Sequence, residues 1–70
     1  MKIENPSIYF GKKIKVVSKG DETVGRLDGY DYDFDDDGNE YLELDIACVD
    51  GFFYGFTEDE IDRIEVLGKG

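Results

Sequence analysis

Apolar and polar residues alternate with a period of two through most of this chain, and glycines or acidic runs interrupt the alternation. Over residues 40–49, Leu42, Leu44, Ile46 and Cys48 fall on one side, with Tyr41, Glu43, Asp45 and Ala47 on the other. That is the pattern of a strand with one buried face. Residues 13–17 repeat it, with Ile14 and Val16 set against Lys13 and Lys15. A long second strand is predicted over 23–34, where Gly25 and Gly29 mark a bulge or sharp bend. Residues 52–56 and 61–67 supply a fourth and a fifth strand. The connections carry turn chemistry: residues 18–22 and 35–39, and Asp50-Gly51 as a hairpin signal. Asn5 followed by Pro6 predicts a short helix capped by Asn5, running to Phe10 and ended by Gly11. Thr57 with Glu60 three residues later has capping-box spacing, and one tight helical turn is expected there. Gly68 to Gly70 reads as a loose tail. The pattern implies an all-β single domain, residues 1–70, with a short N-terminal helix. Its core is expected to hold Ile14, Val16, Leu27, Leu42, Leu44, Ile46, Tyr54, Phe56, Ile61, Ile64 and Val66.

Charge sharpens this picture. Asp28, Asp31, Asp33, Asp35, Asp36, Asp37, Glu40, Glu43 and Asp45 lie in one stretch with no Lys or Arg, on a chain of net charge −10. Tyr30, Tyr32 and Phe34 are threaded through the same stretch, which a disordered acidic tail would lack. Two strands with an acidic crest between them are therefore expected. Such a surface repels phosphate, so nucleic acid is an unfavoured partner. The cluster of Lys12, Lys13, Lys15 and Lys19 reads as the solvated face of an edge strand, where lysine discourages sheet-to-sheet pairing. The chain has no His, which removes the usual acid–base group near neutral pH. Its single Cys, Cys48, forms no disulfide within the chain and reads as a small core hydrophobe in a reducing compartment. No enzyme activity is expected. With no apolar run suited to a signal peptide or a membrane span, the reading is a cytoplasmic protein with no membrane partner.

A short helix followed by five strands, the second long and bent, is the layout of a small SH3-like barrel. Over residues 8–67 the chain resembles the Sm-like (LSM) family. Gly11, Ile14 and Val16 match the opening of that family's first motif, and Gly25, Leu27, Gly29, Asp31 and Phe34 match its second part in register. Phe56, Ile61 and Ile64 hold the apolar places of the second motif. The resemblance implies a five-stranded Sm-like barrel whose free fourth and fifth strands can pair with neighbouring copies. It departs where the family binds RNA: Asp35 replaces an Asn, Thr57 an Arg and Glu58 a Gly. A carboxylate only accepts hydrogen bonds where an amide also donates. Thr57 offers no cation–π energy to a stacked base. None of these positions is carried over as a nucleic-acid site.

Two further features are candidates for binding. Asp33, Asp35 and Asp37 with Gly38 open like an EF-hand calcium loop, so a weak Ca²⁺ site is one candidate. Its twelfth position is Leu44 and strands flank it, so a solvated hairpin loop or a docking surface for a basic partner are the alternatives. Five Phe and five Tyr suggest either core filling or an interaction surface at Phe34, Tyr41 and Phe53. Asp62 and Glu65 are expected to face solvent near the edge of the fifth strand, and if Asp59 lines that edge with them the three blunt it. The reading is a small acidic binding or scaffolding module without cofactor, directed at a protein partner. It is expected to be a monomer or small homo-oligomer. The alternatives are an Sm-like RNA-associated protein and weak calcium binding at the acidic loop.

Overall fold

The computed structural model describes residues 1–69. A 3-10 turn, Pro6–Tyr9, precedes β1 (Lys12–Ser18), β2 (Asp21–Phe34), β3 (Glu40–Ala47) and β4 (Phe53–Thr57). A second 3-10 turn, Glu58–Glu60, leads into β5 (Arg63–Lys69). All five strands form one antiparallel sheet in the order β4-β3-β2-β1-β5. The all-β expectation holds. The sheet does not close: β4 and β5 are its two edges and do not pair with each other.

β2 gives the sheet its shape. Its first half pairs with β1, from Ser18↔Asp21 to Lys13↔Arg26, and its second half pairs with β3, from Arg26↔Ala47 to Phe34↔Glu40. The register shifts between Leu27 and Gly29, so Asp28 is the extra residue of a bulge. At Gly25 the chain approaches β3 so closely that a Cβ would lie 2.5 Å from the Ala47 carbonyl oxygen. Only glycine fits such an approach without displacement. Both glycines singled out from sequence thus mark the bend.

Ile14, Val16, Leu27, Leu42, Leu44, Ile46 and Ile61 are fully buried, and Phe56, Ile64, Tyr9 and Cys48 pack against them. Ile3 completes the core, held where its N–H donates to Glu58 Oε2 at 3.1 Å. It stands alone between Lys2 and Glu4, outside any periodic run, so the alternation gave no sign of it. Two expected core residues are not buried: Tyr54 is 43% exposed and Val66 51%. Tyr54 is opposite Ile46 and Val66 opposite Ile14, so each is on the inward side of its strand. They belong to the two edge strands, and an unclosed sheet leaves nothing to cover them.

The local turns follow their chemistry. Gly38 and Gly51 sit at positive φ in the loops that join β2 to β3 and β3 to β4. The Asn5 and Thr57 side chains make no capping hydrogen bond, so both helical segments stay short 3-10 turns. The strand expected to reach Val49 stops at Ala47, because Cys48 and Gly51 are already joined by a turn hydrogen bond of 3.0 Å. The expected loose tail is instead strand as far as Lys69, and Gly70 lies outside the described residues.

Candidate interaction surface

The acidic stretch forms a projecting two-stranded arm, made of the far end of β2 and the near end of β3. Every residue from Asp31 to Glu40 is exposed. Strand alternation sorts the arm chemically. Tyr30, Tyr32 and Phe34 lie opposite Leu44, Leu42 and Glu40 on the inner side, while Asp31 and Asp33 lie opposite Glu43 and Tyr41 on the outer side. Tyr30 meets Phe10 edge-to-face, with ring centroids 6.1 Å apart. Phe34, at the tip, remains 64% exposed.

Hydrogen bonds within the tip explain much of the Asp-x-Asp-x-Asp-Gly pattern. Asp35 Oδ1 accepts from the backbone N–H groups of Asp37, at 3.0 Å, and Asn39, at 2.9 Å. The Asp35 N–H donates to the Asn39 carbonyl, and the Gly38 N–H donates to the Asp35 carbonyl. Asp35 thus organises the loop as an Asx turn. Asp33 is on the outer face and accepts from the Phe34 N–H at 2.8 Å. Among the described residues, no three His, Cys, Asp or Glu side chains are placed to hold a metal ion. The candidate set Asp33, Asp35 and Asp37 is therefore not gathered around one point.

The candidate surface Phe34, Tyr41 and Phe53 is divided as well. Tyr41 lies beside the tip, opposite Asp33, and that carboxylate, together with partial burial and Glu43, raises the Tyr41 phenol above its ordinary value. Phe53 lies opposite Ala47 at the far end of β3, 66% exposed. Six residues of strand separate Tyr41 from Ala47, roughly 20 Å at strand spacing. There are therefore two surfaces: an acidic aromatic tip around Phe34, and an apolar zone around Val49, Phe52 and Phe53.

Asp35, Thr57 and Glu58 do converge. Asp35, Asn39, Glu40 and Tyr41 line a shallow cleft of about 310 Å³ with Thr57, Glu58 and Asp59. Its charged lining is entirely acidic, which opposes entry of a phosphate. Glu58 is also engaged in structure, since it receives the Ile3 N–H.

The lysine cluster is not on an edge. β1 lies between β2 and β5, so the expectation of an edge-strand guard is corrected. Lys15 instead bridges its neighbours across the sheet, 3.5 Å from Glu22 and 3.2 Å from Glu65, with Arg63 also on Glu65 at 3.1 Å. Bonds from Lys15 and Arg63 hold the Glu65 carboxyl below its ordinary value. Glu65 and Glu22 in turn raise the Lys15 ammonium. Asp62 is not a free guard of β5 either: its Oδ2 accepts from the Lys19 N–H at 3.0 Å.

No family model, curated protein or solved structure matches this chain. Among the described residues no helix is long and apolar enough to cross a membrane.

Proposed function

We propose that this chain is a small, non-catalytic, cytoplasmic protein-binding module built as a divergent Sm-like barrel, and that its acidic arm receives a basic partner. The strand order, the bent second strand and the paired Gly25 and Gly29 support the Sm-like reading. The observation that carries the binding reading is the exposed alternation of ring and carboxylate: Tyr32 and Phe34 on one side of the arm, Asp31 and Asp33 on the other. On a partner segment that wraps the arm, Lys or Arg would pair with the carboxylates of the outer face, and other cationic side chains would stack on the rings of the inner face. Against RNA stand the acidic lining of the cleft and the absence of a cation at Thr57 and Glu58. The module is a monomer or a small homo-oligomer, because net charge of −10 on each copy resists closure of a large ring.

The test is an amide chemical-shift titration with a short peptide rich in Lys and Arg. Shifts confined to residues 30–43, lost in Phe34→Ser and at roughly 0.5 M salt, where charges are screened within a few ångströms, are the expected result. Shifts scattered over the whole sheet would refute the reading. Submicromolar binding of an oligo-uridine that Phe34→Ala abolishes would replace it with the RNA reading.

A further inference from the structure

The two edges of the sheet are not equivalent. β5 carries Arg63 and Glu65 in its ion-pair network, and its pairing with β1 is interrupted by a register shift at Lys13/Ile14. Charge and a bulge are the usual protections of an edge. β4 has neither. Phe53–Thr57 contains no charged residue and no proline, and its pairing with β3 runs without a register shift. On a chain with 18 acidic residues, a neutral strand is a place where two like-charged copies can approach.

The open side of β4 presents unpaired backbone groups. The Cys48 N–H donates to the Phe52 carbonyl at 3.0 Å, so the polar groups of Phe52 face β3. Strand alternation then directs those of Phe53, Gly55 and Thr57 away from the sheet. Gly55 is the middle residue of the five, which makes the strand centred for pairing with its own copy.

We propose that two copies of this chain associate by antiparallel pairing of β4 with β4 about a twofold axis at Gly55, joining their sheets into one. Tyr54 of one copy then lies opposite Phe56 of the other, which covers the ring that the open edge leaves 43% exposed. Phe53 lies opposite Thr57. The interface is isologous, so it closes at two copies. The proposal builds on the small-oligomer reading and is independent of what the acidic arm binds. The ends of the interface carry a signature. Asp50 precedes β4 and Glu58 follows it, so antiparallel pairing brings acids of the two copies toward each other at both ends. Added salt therefore strengthens the dimer, whereas it weakens a basic peptide on the arm.

Sedimentation equilibrium of the full chain tests this at about 0.5 mM, suited to the weak affinity of a short interface. The expected mass is twice the 8.0 kDa of the chain, with a dissociation constant at least about threefold lower in 500 mM than in 50 mM NaCl. Gly55→Pro removes an outward N–H and leaves the β3 side intact, and it should abolish the dimer. Phe53→Glu adds a like charge to an exposed site and should do the same. Leu67→Glu, on the other edge strand, should leave the dimer unchanged, with circular dichroism confirming that each variant is folded. A monomer at every salt concentration, or a dimer that survives both β4 variants, overturns the proposal and leaves the small-oligomer reading intact. A mass of five or more copies overturns both.

Discussion

Gly25→Ala isolates the contact that bends the sheet. The new Cβ would lie 2.5 Å from the Ala47 carbonyl oxygen, 2.7 Å from Ile46 Cγ2 and 3.1 Å from the Ala47 carbonyl carbon. Two of these three neighbours are backbone and Ile46 is fully buried, so relief requires β2 and β3 to separate by most of an ångström. The crossing lies where β2 leaves β1 for β3, so separation also loosens the Arg26↔Ala47 pairing. Overpacking of this kind costs about 1–3 kcal/mol. Stiffening of the unfolded chain by alanine returns only about 0.4–1 kcal/mol. A net loss of about 1.3 kcal/mol is expected, a large share of the stability of a small domain. In a urea titration followed by circular dichroism, with m of about 1 kcal/mol/M, the midpoint should fall by about 1.3 M. Gly29→Ala and Gly55→Ala are the controls, since a Cβ there meets its nearest neighbours at 3.6 and 3.7 Å, ordinary contact. They should be neutral or slightly stabilising. A Gly25→Ala midpoint within 0.5 M of the parent, or equal losses at all three sites, would refute the reasoning.

Leu44→Ala, at a fully buried position, should cost about 2–5 kcal/mol, and calorimetry should show the melting temperature falling by about 10 °C or more. The Lys15–Glu65 pair has a defined pH window. Glu65, held below its ordinary value, adds stability above the ordinary carboxylate range that is lost as pH falls through its lowered value. Lys15, raised, adds stability below the ordinary lysine range that is lost as pH rises through its raised value. Thermal melts of Lys15→Met should therefore differ from the parent at pH 7 and converge with it at about pH 2, where carboxylates are protonated; a constant difference would reject the pair. Cys48 is half-buried, and burial followed by Asp50 pushes its thiol up, so alkylation at about pH 8 should run slower than for a free thiol. Alkylation at the free-thiol rate would show that the turn beyond Ala47 opens readily.

The alternation of Leu42, Leu44 and Ile46 was enough to place β3 and its buried face, because a strand's side-chain period is local and one solvent-averse face fixes its orientation. Gly25 and Gly29 announced a bend for the same local reason, and Asp50-Gly51 announced its hairpin. The chemistry of the acidic arm was legible too, as rings and carboxylates alternating at period two. Periodicity says which side of a strand a residue takes, but not whether that side is covered. Tyr54 and Val66 face inward and remain exposed because the order β4-β3-β2-β1-β5 puts them on edges, a property of the assembled sheet. Lys15 reads as a solvated lysine until β5 returns beside β1 and brings Glu65 to it from fifty residues away. Ile3 has no pattern around it and enters the core through a hydrogen bond to Glu58. The grouping Asp33, Asp35 and Asp37 was a spacing in sequence. The tertiary structure sent Asp33 to one face and turned Asp35 onto the loop's own amides, because a strand separates neighbours that a helix-flanked loop would gather.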